Sequence, residues 1–300
     1  MAEETPVTLV VEGKYKVERK LGEGSFGKIF AGVNSNTGES VAIKIEKTSE
    51  SSVLRNEAKM YKLLESCQGI PRLRSYGVEG KFNYMVMDLL GESLESVRVQ
   101  CGGRISLKSV LALGMQMLKR IEAVHSLGIV HRDIKPENFL LKPDGTVLHL
   151  IDFGLARRYV NSRDEHIQAD TGRKLTGTAR YASLNVHTGI TPSRRDDLES
   201  IGYVMLYLLS GELPWQSVRA PNKDARYRAI GAYKRDHSLW DLFAGYPGEF
   251  MVYLNYCRSL QFDEDPDYNY LRNLFGNLYK HHGFPADNLY DWMRHETESA

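Results

Sequence analysis

The chain is 300 residues long, 42% hydrophobic, and carries 39 lysines and arginines against 38 aspartates and glutamates, for a formal net charge of +1. This length and apolar share suit one large domain or two lobes sharing a cleft and exclude a disordered chain, while the charge balance excludes nucleic-acid binding through an overall basic field. Three cysteines, Cys67, Cys101 and Cys257, stand without CxxC or Cys/His spacing, which excludes a disulfide framework and a zinc site and fits a reducing compartment.

The opening MAEETPVTLVVE has neither the basic start nor the long apolar stretch of a signal peptide. No glycine follows Met1, and the chain finishes ETESA without a prenylation signal. The longest apolar run, YVMLYLL at 203–209, is far too short for a bilayer span. These features predict a soluble cytosolic or nuclear protein with no membrane attachment.

From residue 15 to about residue 90 the pattern predicts strands with one helix. KYKVERKLGEGSFGKIFAGV runs through the polar turn NSNTGE into ESVAIKIE, strand-like segments joined by turn chemistry. In SSVLRNEAKMYKLLESC, Glu57, Met60, Tyr61 and Leu64 share one helical face, so a carboxylate points inward among apolar neighbours. A carboxylate placed so needs a cation. After FNYMVMDLL the pattern turns to long helices: LKSVLALGMQMLKRIEAVHSLG is amphipathic, and DDLESIGYVMLYLLSG is apolar nearly all round, as in a helix buried within a lobe. The lobe junction is therefore placed near Asp88 to Glu92, with an N-lobe over 1–88 and a C-lobe over 89–300. PDYNYLRNLFGNLYKHHGF adds more packed helix and turn, and no internal repeat is visible.

GEGSFG at 22–27 has G-x-G-x-x-G spacing, whose physical use is close backbone approach to phosphates. By itself it is compatible with an ordinary glycine turn. A dinucleotide-binding unit would open a helix here, whereas KIFAGV continues as strand, so a glycine-rich hairpin fits and a nicotinamide-dependent oxidoreductase loses its support. VAIK at 41–44 then places Lys44 on the next strand as the cation for Glu57, a pair able to hold the lysine over nucleotide phosphates. HRDIKPENFL at 131–140 supplies Asp133 to accept the proton of a substrate hydroxyl, Lys135 to neutralise the transferred phosphoryl group, and Asn138 as a Mg²⁺ ligand. DFG at 152–154 adds Asp152 as the second metal ligand.

These stretches, in this order, resemble the eukaryotic protein kinase superfamily. The resemblance implies an α+β, two-lobed fold: a small β-rich N-lobe with one main helix and a larger, mainly helical C-lobe. Lys135, two places after Asp133, resembles the serine/threonine kinases, and Asp197 in DLESIG resembles the aspartate that holds the catalytic-loop backbone. Most kinases close their activation segment with A-P-E. This chain instead reads TGTARYASLN followed by SRRDDLES, and these, with LLGESLE at 89–95, GLARRY at 154–159, LPWQ at 213–216 and YLNYCRSLQFDEDPDYNYL at 253–271, closely resemble the casein kinase 1 family from about Tyr15 to Trp292.

That family resemblance implies a constitutively active serine/threonine kinase using ATP and Mg²⁺. The loop of Leu21, Gly22, Glu23, Gly24, Ser25, Phe26, Gly27, Lys28 and Ile29 would cover the nucleotide, with Lys44 and Glu57 behind it. Met87 would be the gatekeeper, Asp88 and Leu90 would present hinge backbone groups, and Ile29, Ala42, Leu140 and Ile151 would enclose the base. The family also implies an anion site for a phosphate already on the substrate, three residues before the new acceptor. Arg180 in LTGTARYASLN matches a family arginine, and Arg173 and Arg226 stand where the family usually has lysines. Guanidinium groups bind phosphate through paired hydrogen bonds, so the site's chemistry is preserved. The competing role for Arg180 is to pin its own loop in place of the missing A-P-E glutamate.

The expected partners are protein substrates with acidic or phosphorylated residues before the acceptor, not nucleic acid and not membrane, and the expected state is a monomer. A pseudokinase or docking scaffold is the alternative of a different class; the presence of Lys44, Glu57, Asp133, Asn138 and Asp152 together argues against it.

Overall fold

The glycine-rich stretch folds as an antiparallel hairpin: β2 (Tyr15–Gly24) returns as β3 (Gly27–Asn34), with Glu23 opposite Lys28 and Gly24 opposite Gly27. This computed structural model describes residues 9–24, 27–49 and 52–293, so Ser25 and Phe26 of the expected nucleotide loop lie outside the described residues. The chain divides into two compact units. The first draws its described residues from Met1–Ser66, Ile70–Leu90 and Asp152–Gly154, the second from Cys67–Gly69, Gly91–Ile151 and Leu155–Ala300. Residues 89–90 and 152–154, placed with the C-lobe by the sequence reading, thus group with the first unit, and 67–69 with the second.

In the first unit, β1 (Val10–Val11), the hairpin, β4 (Ser40–Lys47), β5 (Leu73–Glu79) and β6 (Phe82–Asp88) form one antiparallel sheet in the order β1-β2-β3-β4-β6-β5. Strand periodicity sorts β4: Val41, Ile43 and Ile45 join Val11, Tyr15, Tyr84 and Val86 in the core cluster, which leaves Ala42 and Lys44 on the opposite face. Helix α1 (Val53–Leu63) starts at Ser52, whose hydroxyl accepts the Arg55 amide at 3.1 Å. Its buried face is Leu54, Glu57, Ala58 and Tyr61; Met60 is only half-buried, so the stripe is rotated slightly from the predicted one.

The second unit is helical. Its helices among the described residues are α2 (Leu94–Gln100), α3 (Leu107–His125), α4 (Leu184–His187), α5 (Arg194–Ser210), α6 (Lys223–Asp236), α7 (Leu239–Leu242), α8 (Gly248–Ser259) and α9 (Tyr268–His281). Two short antiparallel pairs accompany them: β7 (Ile129–Val130) with β10 (Arg157–Arg158), and β8 (Phe139–Leu141) with β9 (Leu148–Leu150). Every residue of α5 from Asp196 to Leu209 is buried, as its all-round apolar pattern implied. Helix α5 packs against α3 and α8, and α3 also against α9. At the start of α5 the Asp196 carboxylate accepts the Ser193 amide at 2.7 Å, and Gly211 at φ 85° closes the helix. Among the described residues no helix is long and apolar enough to cross a membrane.

Candidate active site

In the first unit the face of β4 away from the core carries Lys44, and α1 brings Glu57 to meet it. The ammonium lies 2.7 Å from Glu57 Oε2 and 3.4 Å from Asp152 Oδ1. Glu57 is 1% exposed, and burial pushes its carboxyl up to about 7 against the pull of Lys44. Burial acts to lower the Lys44 pKa, but the two carboxylates outweigh it and the net shift is upward. The lysine is therefore held as a cation. Asp152 reaches this group because the Tyr61 hydroxyl accepts its amide at 3.1 Å and Phe153 packs edge-on against the Tyr61 ring at 5.1 Å.

The rest of the expected nucleotide loop borders this face. Ile29 lies opposite Lys44 in the sheet and Ala42 opposite Met87. Gly27, at φ 150°, is required by close approach: a Cβ there would stand 2.5 Å from the Ile45 carbonyl oxygen. Gly22 and Gly24 have nothing within 4 Å of such a Cβ, and Leu21 is exposed. At the end of β6 the Asp88 amide donates to the Arg72 carbonyl at 3.2 Å and its carboxylate accepts from Arg74 Nε at 2.7 Å. Leu90 closes this part of the first unit.

In the second unit the segment after β7 is fixed from below by α5. Asp197 accepts the amides of His131 and Arg132 at 2.7 and 2.8 Å, and His125 Nε2 lies 3.0 Å away. Burial alone would raise the Asp197 pKa; the bond to His125 and the backbone amide hold it below the usual carboxylate range. Arg132 is thereby kept at φ 72°, and Asp152 in the first unit also sits at positive φ, 64°. Such backbone costs about 1–3 kcal/mol at a non-glycine residue and persists only where the surroundings impose it.

Asp133, 7% exposed, is held by three groups: Lys135 Nζ donates to Oδ2 at 2.6 Å, Thr178 Oγ1 to Oδ1 at 2.8 Å, and Asn138 Nδ2 to its backbone carbonyl at 2.9 Å. His131 Nε2 is 2.9 Å from the Ile151 carbonyl, which can only accept, so the proton sits on Nε2 and leaves Nδ1 to take the Asp133 amide at 3.3 Å. Leu140 and Ile151 flank this region half-buried. The carboxylate of Asp152 and the carboxamide of Asn138 offer oxygen donors, the chemistry that a hard divalent cation takes.

The three arginines expected to share one anion site each have partners of their own. Arg173 pairs with Asp170 and lines a cavity of about 260 Å³ with Arg132, Arg157, Arg158 and Lys174. Arg180 is absent from that lining; its guanidinium lies over the rings of Tyr181 and Tyr207 at 5.8 and 5.7 Å, and its carbonyl accepts from Trp215 Nε1 at 2.8 Å. Exposed Arg226, on α6, donates to the Gln216 carbonyl at 3.4 Å. The Arg180 backbone and the Arg226 side chain thus both bond within residues 213–217.

One residue at this centre was missed in the sequence: Thr178, whose bond to Asp133 spans 45 positions and carries no local signal. Lys234 of α6 was not singled out either; its one signal is the helical period, since it stands four residues after buried Ile230 on the same face.

A model of the protein kinase domain matches residues 15–241, three quarters of the chain. The chain therefore belongs to the protein kinase domain family, and is a phosphotransferase that acts on proteins and uses ATP with a divalent metal.

Proposed function

We propose that this kinase is serine/threonine-specific and of casein kinase 1 type, constitutively active as a monomer in the cytosol or nucleus, and directed to acidic or phosphate-primed substrates. The observation that carries the reading is the setting of Asp133, whose two carboxylate oxygens are occupied by Lys135 and Thr178. A carboxylate oriented in this way receives the proton of an aliphatic hydroxyl as that oxygen attacks phosphorus, and the Lys135 ammonium offsets charge on the group in transit. Mg-ATP supplies the phosphoryl group when bound, with Asn138 and Asp152 as the metal ligands. Lys44, oriented by Glu57, would hold the nucleotide phosphates together with residues 21–29, and Met87, Asp88, Leu90, Ile29, Ala42, Leu140 and Ile151 would enclose the base.

Substrate choice is assigned to Arg173, Arg180 and Arg226; the reading is supported by the cations that line the cavity at Arg173 and by the bonds of Trp215 Nε1 to the Arg180 carbonyl and of Arg226 to the neighbouring Gln216 carbonyl. A charge-assisted hydrogen bond contributes about 1.5–3 kcal/mol, so a phosphate met only in the transition state raises the rate roughly ten- to a hundredfold.

The acceptor class is tested with Mg-ATP and one acidic peptide carrying Ser, Thr or Tyr at the acceptor position, with wild type and Asp133→Asn. Transfer to Ser and Thr that drops about 10²–10⁴-fold in Asp133→Asn is the expected result. Equal transfer to Tyr, or full activity in Asp133→Asn, contradicts the proposal.

A further inference from the structure

Helix α6 reads KDARYRAIGAYKRD, yet its Lys234 is fully buried, at 0% exposure. The ammonium donates to the carbonyls of Ala179 at 3.0 Å and Ala182 at 2.7 Å and lies 3.3 Å from His187 Nε2. It also stands over the rings of Tyr203 and Trp215, at 4.6 and 4.7 Å. Among the described residues no carboxylate forms an ion pair with it, and Glu199 acts on it only at longer range. A buried ammonium without a direct counter-ion is costly. Methionine would fill much the same space with no charge to bury, so what accounts for lysine here is the set of bonds that it makes.

Those bonds bracket Arg180. Its own carbonyl, between the two that Lys234 holds, accepts from Trp215 Nε1, while the amides of Tyr181 and Ala182 return to the Thr178 carbonyl at 2.9 and 3.0 Å. Residues 178–182 are thus a turn closed by its own backbone and fastened by one ammonium and one indole. Its first residue, Thr178, donates to Asp133 Oδ1. Just before it, Gly177 at φ 82° permits the approach, since a Cβ there would stand 2.3 Å from the Arg132 carbonyl oxygen.

We propose that Lys234 is a positioning residue for phosphoryl transfer: by holding the carbonyls on either side of Arg180 it fixes the turn that aims Thr178 at Asp133. The backbone of Arg180 is then held without bonds from its own guanidinium to the turn's carbonyls. The inference rests on Asp133 as the group that receives the acceptor proton.

The test is a kinetic cycle on a serine peptide with Mg-ATP, using wild type, Lys234→Met, Thr178→Ala and the double variant, with Asp133→Asn as reference. Misplacement on the order of 1 Å costs up to about a hundredfold in rate, so kcat is expected to fall roughly ten- to a hundredfold in Lys234→Met while KM for ATP stays within about twofold. The double variant is expected to match Thr178→Ala alone, because both changes act through one bond to Asp133. Lys234→Gln, which keeps two N–H donors, is expected to recover part of the loss. Wild-type kcat in Lys234→Met, or losses that multiply in the double variant, overturns the inference while leaving Asp133's role intact. Full activity in Asp133→Asn overturns the underlying reading and the inference with it. Should Lys234→Met fail to fold, Trp215→Phe, which loses the N–H to the Arg180 carbonyl, takes its place in the same cycle with the same two outcomes.

Discussion

Two lysines are buried among the described residues, one in each unit, and they are held by opposite means. Lys44 faces two carboxylates, Glu57 and Asp152, which keep its pKa above the ordinary value. Lys234 faces two backbone carbonyls and two aromatic rings, and burial pulls its pKa well below the ordinary value. The contrast separates two uses of one side chain. A cation neutralised by carboxylates can be shared with incoming phosphate, since the pair tolerates a third charged partner; a cation spent on carbonyls fixes a backbone and has no direction left to offer a ligand.

Removing each lysine's amine separates the two uses. Lys44→Met leaves Glu57 buried without its partner, which costs about 3–5 kcal/mol in denaturant unfolding. Phosphoryl transfer is expected to fall by about 10²–10³-fold, the scale for loss of one preorganised charge. Lys44→Met/Glu57→Leu is expected to regain most of the stability and none of the activity; recovery of both would make the pair a structural salt bridge alone. Lys234→Met exposes a smaller deficit. Each buried acceptor left unmade costs about 1–3 kcal/mol, partly offset because no ammonium is buried any longer. Unfolding measurements are expected to rank it below Lys44→Met, and the reverse ranking would show that the carbonyl clamp, not the ion pair, is the greater stabiliser.

His187, against Lys234, is pushed down to about 4 by burial and then by the ammonium. The folded state therefore binds fewer protons than the unfolded one between about pH 4 and 6.5, and the stability carried by the neutral imidazole is lost as pH falls through that window. His187→Gln removes this slope, so the stability gap between wild type and variant is expected to narrow from pH 6.5 to pH 4. A constant gap would mean that His187 is solvated and takes no part in the clamp.

Much of this molecule was legible beforehand because its chemistry is local in sequence. Glu57 and Tyr61 sit one helical turn apart, so a carboxylate pointing inward could be read from spacing, and its cation stood on the preceding strand. The buried character of α5 followed from its all-round apolar pattern. What spacing could not give was the arrangement of cations. Arg173 and Arg180 are seven residues apart on one small-residue loop, but Gly177, at φ 82°, turns the chain between them, and they end against different surroundings. Lys234 was hidden for a different reason: it is brought to residues 179–182 by tertiary packing over more than 50 positions of sequence, and a lysine on a polar helix is ordinarily solvated. Grouping of the DFG triplet with the first unit had the same long-range origin, in the bonds of Asp152 to Lys44 and Tyr61.

Lys234 and Trp215 hold the backbone around Arg180, and the proposed role of its guanidinium is that of a receptor for a substrate phosphate. The direct measurement is the initial rate, with Mg-ATP, on two serine peptides that differ only in a phosphoserine three residues before the acceptor, for wild type and Arg180→Ala. Wild type is expected to prefer the primed peptide by roughly ten- to a hundredfold, and Arg180→Ala to lose that preference while keeping its rate on the unprimed peptide. Equal wild-type rates on the two peptides, or a fall of the same size on both in Arg180→Ala, would contradict that role.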